Sequence, residues 1–175
     1  MFAAVLTAIL LAQAASPVHD GSHDFDFEIG TWTIAVHREV HPLSGSHVWT
    51  DPAGYHHLVR KVWGGQASLA ELELDKPAPH FLGLMLRLYD TKSGRWSVYW
   101  ASSEGSTIDA PLVGQFAHGR GVFVGHDTYN GRPVEVRVVY SDITPHSFRT
   151  EQWFSTNGGA SWEPVLIQTF SRVSS

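Results

Sequence analysis

The chain contains no cysteine, which excludes disulfides, thiol catalysis, Cys-ligated zinc and a lipoprotein anchor. Its stability must come from packing and hydrogen bonds. Lysine is scarce, no run of like charges occurs and the formal net charge is −5, so neither an electrostatic footprint for nucleic acid nor a polybasic membrane patch is present. No apolar run approaches the roughly 20 residues that a membrane-spanning helix needs. Glu-x-x-His, His-Glu-x-x-His and Gly-x-Ser-x-Gly are all absent, so the spacings that place zinc ligands or a nucleophilic serine are missing. Sustained helical periodicity is missing too, and only residues 22–29 have the pattern for a turn or two of helix.

What the chain does have begins with a short apolar stretch, Met1 to Leu11, followed by Ala12-Gln13-Ala14. Small-x-small after such a run is the pattern of a signal peptide, residues 1–14, cut after Ala14. A periplasmic or secreted protein is expected. No Lys or Arg precedes the run, so its positive end rests on the amino terminus alone. The polar residues 15–24, with Pro17 and Gly21, read as a flexible lead-in, and residues 25–175 as one domain large enough to bury a core.

Ten short apolar or β-branched stretches follow, at 31–40, 55–63, 68–74, 81–89, 95–101, 108–116, 121–128, 133–140, 147–154 and 162–171. Their spacing, with turn residues between, predicts an all-β sandwich or barrel. Turns at Asp90-Thr91-Lys92-Ser93-Gly94, Tyr129-Asn130-Gly131-Arg132 and Thr156-Asn157-Gly158-Gly159 carry Asp, Asn and Gly where tight antiparallel hairpins require them. An antiparallel meander is the expected topology. Alternation puts Trp96, Val98 and Trp100 on one strand face, read as core, and sets Phe148, Thr150, Gln152 and Phe154 opposite Ser147, Arg149, Glu151 and Trp153. For the hairpin around Ile143–Pro145, centring on Thr144 pairs Arg137 with Glu151, whereas centring on Ile143 opposes Arg137 to Arg149, so charge favours the first register.

The passage Asp24-Phe25-Asp26-Phe27-Glu28-Ile29-Gly30-Thr31-Trp32 opens the domain on Phe-x-Phe-x-Ile-Gly-x-Trp, and Ser141-Asp142-Ile143-Thr144-Pro145 with Ser155 to Trp162 leads to a last strand ending at Arg172. These passages resemble a bacterial family of domains of uncharacterised function, the DUF1579-type proteins, which are regarded as lipocalin-like or calycin-like barrels. The resemblance implies an up-and-down calycin barrel of about ten strands. It departs from the family at Glu28, where an aromatic is usual, and at Asn157, where an acidic residue is usual. It also implies structural roles for Gly30, Trp32 and Arg172, with the Arg172 guanidinium over the Trp32 indole closing the barrel base.

The histidines invite chemistry. His37, Glu39 and His41 share a strand face, yet same-face neighbours stand about 7 Å apart, too far to share an ion without a bend, so no metal site is expected. His56 and His57 point to opposite faces, so at most one is interior. His118, His126 and His146 fall near turns and strand ends, and Gly119-Arg120-Gly121 reads as a hairpin turn. The charged residues Glu135, Arg137, Arg149 and Glu151 are explained as solvent-face pairs.

Seven Trp, five Tyr and nine Phe exceed what a minimal core needs, and they either line a cavity or fill the barrel completely. The residues expected to line a cavity are Trp63, Met85, Trp96, Trp100, Tyr140, Phe148 and Gln152. The reading that follows is an exported barrel that binds or sequesters a small hydrophobic molecule, with no cofactor; the alternative is an enzyme using the cavity for isomerisation, cyclisation or hydrolysis. Haem is disfavoured because residues 162–171 contain no histidine. A purely structural or protein-binding barrel would instead need an exposed apolar patch.

Overall fold

The computed structural model of the chain describes residues 20–52, 54–74, 81–105 and 107–173. The expected signal peptide and the start of the lead-in lie outside the described residues. Eleven strands run in chain order: β1 (Gly30–Glu39), β2 (Trp49–Thr50), β3 (Tyr55–Val62), β4 (Ala67–Leu74), β5 (Leu82–Asp90), β6 (Arg95–Ser102), β7 (Leu112–Ala117), β8 (Arg120–Tyr129), β9 (Arg132–Ser141), β10 (Ser147–Ser155) and β11 (Glu163–Arg172). From β3 to β11 each strand pairs antiparallel with the next, and β1 pairs with both β3 and β11. The result is a closed antiparallel up-and-down barrel of ten strands, with the two-residue β2 outside the ring against the end of β1. Closure leaves no long open edge for another chain to pair with.

Sequence alternation produces this ring directly. Along β1, Trp32, Ile34 and Val36 are buried while Thr31, Thr33, Ala35 and His37 are exposed, the period-two pattern of a strand with one face in the core. The β8–β9 turn is made by Asn130 and Gly131, both at positive φ (50° and 77°), which suits the twist of a two-residue hairpin. At the Asp90 turn, the Gly94 N–H donates to the Asp90 carbonyl at 2.9 Å and the Asp90 side chain accepts from Lys92 N and Ser93 Oγ. The seventh strand starts at Leu112 rather than at residue 108, and Pro111 just before it has no N–H to give a ladder.

The β9–β10 hairpin corrects the register expected from charge. Arg137 stands opposite Trp153 and Glu151 opposite Val139, so the hairpin centres on Pro145 rather than Thr144. A two-residue slip keeps every side chain on its own face. What it gains is aromatic: the Arg137 guanidinium lies 4.4 Å from the Trp162 ring and 5.3 Å from that of Trp153. Glu151 instead accepts two hydrogen bonds from Arg149, at 2.7 and 3.0 Å, two residues along the same strand face.

The stretch ahead of the barrel is also built differently from a flexible lead-in. From Asp20 it is packed: 3₁₀ turns at Gly21–His23 and Asp26–Glu28 cap one end of the barrel. Gly21 is buried, its N–H donating to the Tyr89 hydroxyl at 3.0 Å and its carbonyl accepting from Trp96 Nε1 at 2.8 Å. Phe25 enters the core edge-on to Trp96, Phe116 and Tyr140, with ring centroids 4.9 to 5.4 Å apart. This plug closes the end of the barrel where Trp32 and Arg172 sit.

Candidate functional site

Above the aromatic plug the interior is not filled. A cavity of about 410 Å³ runs towards the opposite end of the barrel. One wall is aromatic and aliphatic, built from Tyr55, Phe81, Met85, Val98, Trp100 and Leu112, and the facing wall carries Thr150, Gln152 and Gln168 between Val36, Val138 and Leu166. Gly83 shapes the first wall: a Cβ there would stand 2.2 Å from the Trp100 ring, so the indole packs against bare backbone. Around the mouth are Arg38, Pro52, Asp109, His126 and Asp127. Burial, together with the Asp127 charge, pushes the Asp109 carboxyl above its ordinary value.

The deep end is polar, and it is sealed. Glu28, His57 and Arg87 are 1 %, 2 % and 0 % exposed. Glu28 Oε1 accepts from Arg87 Nη2 at 2.8 Å and from His57 Nε2 at 3.1 Å. Arg87 Nη1 reaches Ser68 Oγ at 3.4 Å, its charge also acts on the Tyr140 phenol, and its guanidinium carbon lies 4.8 Å from the Phe25 ring. Burial alone would raise the Glu28 carboxyl, but the Arg87 charge and the hydrogen bonds from His57 and Arg87 outweigh it and hold the group below its ordinary value. For Tyr140, burial dominates and pushes the phenol up to about 12. The floor is therefore a carboxylate–guanidinium pair flanked by a phenol and an imidazole. Glu28, His57 and Tyr140 line the cavity, while Arg87 lies outside its lining.

Of the residues expected to line a cavity, Met85, Trp100, Tyr140 and Gln152 do so. Trp96 and Phe148 lie below, in the packed core, where Phe148 stacks on Phe170 at 4.0 Å. Trp63 is placed elsewhere altogether. The third strand ends at Val62, Trp63 takes a positive φ of 53° in a 3₁₀ turn, and its side chain is 74 % exposed outside the barrel.

Glu28 and Arg87 escaped the sequence reading as site residues, and His57 entered it only as one of two neighbours of which at most one is interior. Arg87 was hidden by the leucines around it: Leu82, Leu84, Leu86 and Leu88 take the outer face of β5, and Gly83, Met85, Arg87 and Tyr89 the inner. One signal was visible. Glu28 is the residue that breaks the aromatic pattern of the opening motif, and it is the charge around which the floor is built.

The His37, Glu39 and His41 face does not converge. His37 Nδ1 pairs with Asp51 Oδ1 at 2.7 Å and its ring stacks on Trp49 at 4.7 Å. Glu39 is 2 % exposed and lies beside Glu163, which also accepts from the Leu43 N–H at 2.7 Å. Burial, then the neighbouring Glu163 carboxyl, push the Glu39 carboxyl above its ordinary value, against smaller opposing effects of His47 and His41. A carboxyl whose folded value lies above its ordinary one costs stability only as pH rises past that ordinary value. Glu39→Gln is thus expected to add about 1 kcal/mol at pH 8 and nothing near pH 4. Thermal melts of both proteins across that range check it; an offset that does not grow with pH contradicts the assignment.

No family model matches the chain, and no curated protein matches it. Among solved structures, the S-type phycobiliprotein lyase from Guillardia theta matches over 90 % of this chain and 94 % of its own, with a TM-score of 0.59 and 13 % sequence identity. At that identity the likeness is one of fold. In fold the barrel is lipocalin-like.

Proposed function

We propose that the protein is an exported calycin-like carrier that binds or sequesters a small, largely apolar molecule inside its barrel. The observation that carries this is the cavity itself: about 410 Å³, walled by Tyr55, Phe81, Met85, Trp100 and Leu112, with a few polar groups convergent at one end. Concave, mostly apolar and sparsely polar is the usual character of a small-molecule site. Export rests on the apolar run and Ala12-Gln13-Ala14, and makes the periplasm or the exterior its place of action. The resemblance of its opening and closing passages to DUF1579-type domains agrees with the same barrel.

Catalysis in the cavity is the weaker reading. An isomerisation, cyclisation or hydrolysis calls for a group that exchanges a proton near neutral pH. Glu28 is held ionised by Arg87 and Tyr140 is held protonated, so each is fixed on the inactive side of that requirement.

The test is a fluorescence titration with N-phenyl-1-naphthylamine, a neutral apolar dye that fits the volume. Binding with a Kd of about 10 μM, accompanied by a blue shift, is expected from a ligand of its size. Val138→Trp, which pushes an indole into the cavity from β9, should weaken it about tenfold. No enhancement by the wild-type protein, or equal binding by the filled variant, overturns the carrier reading.

A further inference from the structure

The two hydrogen bonds that Glu28 accepts both fall on Oε1. Oε2 has no partner among the described residues, and neither has His57 Nδ1. Both side chains are almost wholly buried and both line the cavity. His57 Nε2 faces the carboxylate, so Nδ1 is the ring atom left over. Of these two atoms, the carboxylate oxygen Oε2 can only accept. Buried acceptors of this kind favour a guest that brings a donor with it.

The charge of that guest follows from the neighbours. Arg87 already neutralises Glu28, so a cation there would meet the guanidinium, whereas an anion would face the carboxylate. We propose that the ligand is amphipathic and enters head first, setting a neutral hydroxyl or N–H group on Glu28 Oε2 at the His57 end of the cavity, with its apolar body along the Phe81, Met85 and Trp100 wall. This rests on the carrier reading and specifies the class of ligand within it. The Tyr140 hydroxyl, which lines the same end of the cavity, has a proton to give and suits the oxygen of an alcohol.

The test displaces N-phenyl-1-naphthylamine with two competitors that differ by a donor, 1-decanol and decyl methyl ether. The alcohol is expected to compete at a concentration at least about tenfold lower than the ether. In His57→Phe, which keeps a ring in place and removes the polar atoms beside Glu28, the ratio should fall to about threefold or less. Melting temperatures taken alongside separate that change from a structural one, since lost stability does not alter a ratio between two ligands. The wild-type ratio decides by itself, so a variant that fails to fold leaves the test standing. Equal competition, or competition by neither compound while the dye still binds, overturns the inference and leaves the carrier reading intact. Failure of the dye itself to bind overturns both.

Discussion

Replacing Arg87 by methionine is expected to cost the fold about 3–5 kcal/mol at pH 7, because it strands the Glu28 carboxylate in the interior with only His57 to hold it. The volume of the side chain is roughly kept. What is lost is charge compensation. Burial is the largest single influence on Glu28 and acts to raise its carboxyl, so without Arg87 the group takes up a proton in the folded state. The two proteins should then respond to acid in opposite directions. In the wild type a depressed carboxyl supplies stability that is present above its ordinary value of 4.5 and lost as pH falls through its lower folded value. In the variant a raised carboxyl costs stability at neutral pH, and the cost shrinks as the medium is acidified. Urea midpoints at pH 7, pH 5 and about pH 3 read this: between the first two only the variant recovers, and the wild-type loss begins below 4.5. The double variant Glu28→Gln with Arg87→Met should recover most of the loss, since it removes the stranded charge together with its partner. A cost below about 1 kcal/mol for Arg87→Met, or no recovery in the double variant, would show that the pair does not organise the floor.

How much of this was legible in the sequence depends on whether a residue followed the local pattern or broke it. The alternation of Trp32, Ile34 and Val36, or of Trp96 and Val98, named the core face of those strands because apolar side chains simply face in. The same rule misleads on β5, whose leucines face outward while the interior takes Gly83, Met85, Arg87 and Tyr89. A buried guanidinium can occupy that face only because Glu28 and Tyr140 come from elsewhere in the chain to meet it. Such a meeting is a property of the closed ring and has no signature at any one strand. The β9–β10 register was missed for a related reason: local charge favoured Arg137 against Glu151, but Trp162 on the far side of the hairpin offers the guanidinium a ring face. Trp63 was misplaced because one positive φ at the end of a strand turns the next side chain out of the barrel. The short Trp49–Thr50 strand carries too few residues to show any period.

The other structural expectation of large size concerns the closed end, and it joins the first residues of the domain to its last. Arg172 donates from Nε to the Pro145 carbonyl at 2.7 Å, from Nη1 to Ile29 at 2.7 Å and from Nη2 to Phe27 at 2.6 Å, with its guanidinium carbon 4.1 Å from the Trp32 ring. One side chain thereby ties the N-terminal plug, the β9–β10 loop and strand β1 together. Arg172→Ala is expected to lower stability by about 2–4 kcal/mol, the sum of lost charge-assisted hydrogen bonds and a cation–π contact after solvent repays part of each. Arg172→Lys should restore only a minor share, because a single ammonium cannot reach three carbonyls while lying flat on an indole. Gly30→Ala should approach the alanine variant in severity for a separate reason: Gly30 has a φ of 123°, and a Cβ there would stand 2.6 Å from Arg172 Nη1. Urea denaturation of the three variants tests the set. If Arg172→Lys matches the wild type, the fork of donors is not what closes the barrel, and the weight shifts to the packing of Trp32 against Phe148, whose rings meet edge-on at 4.9 Å.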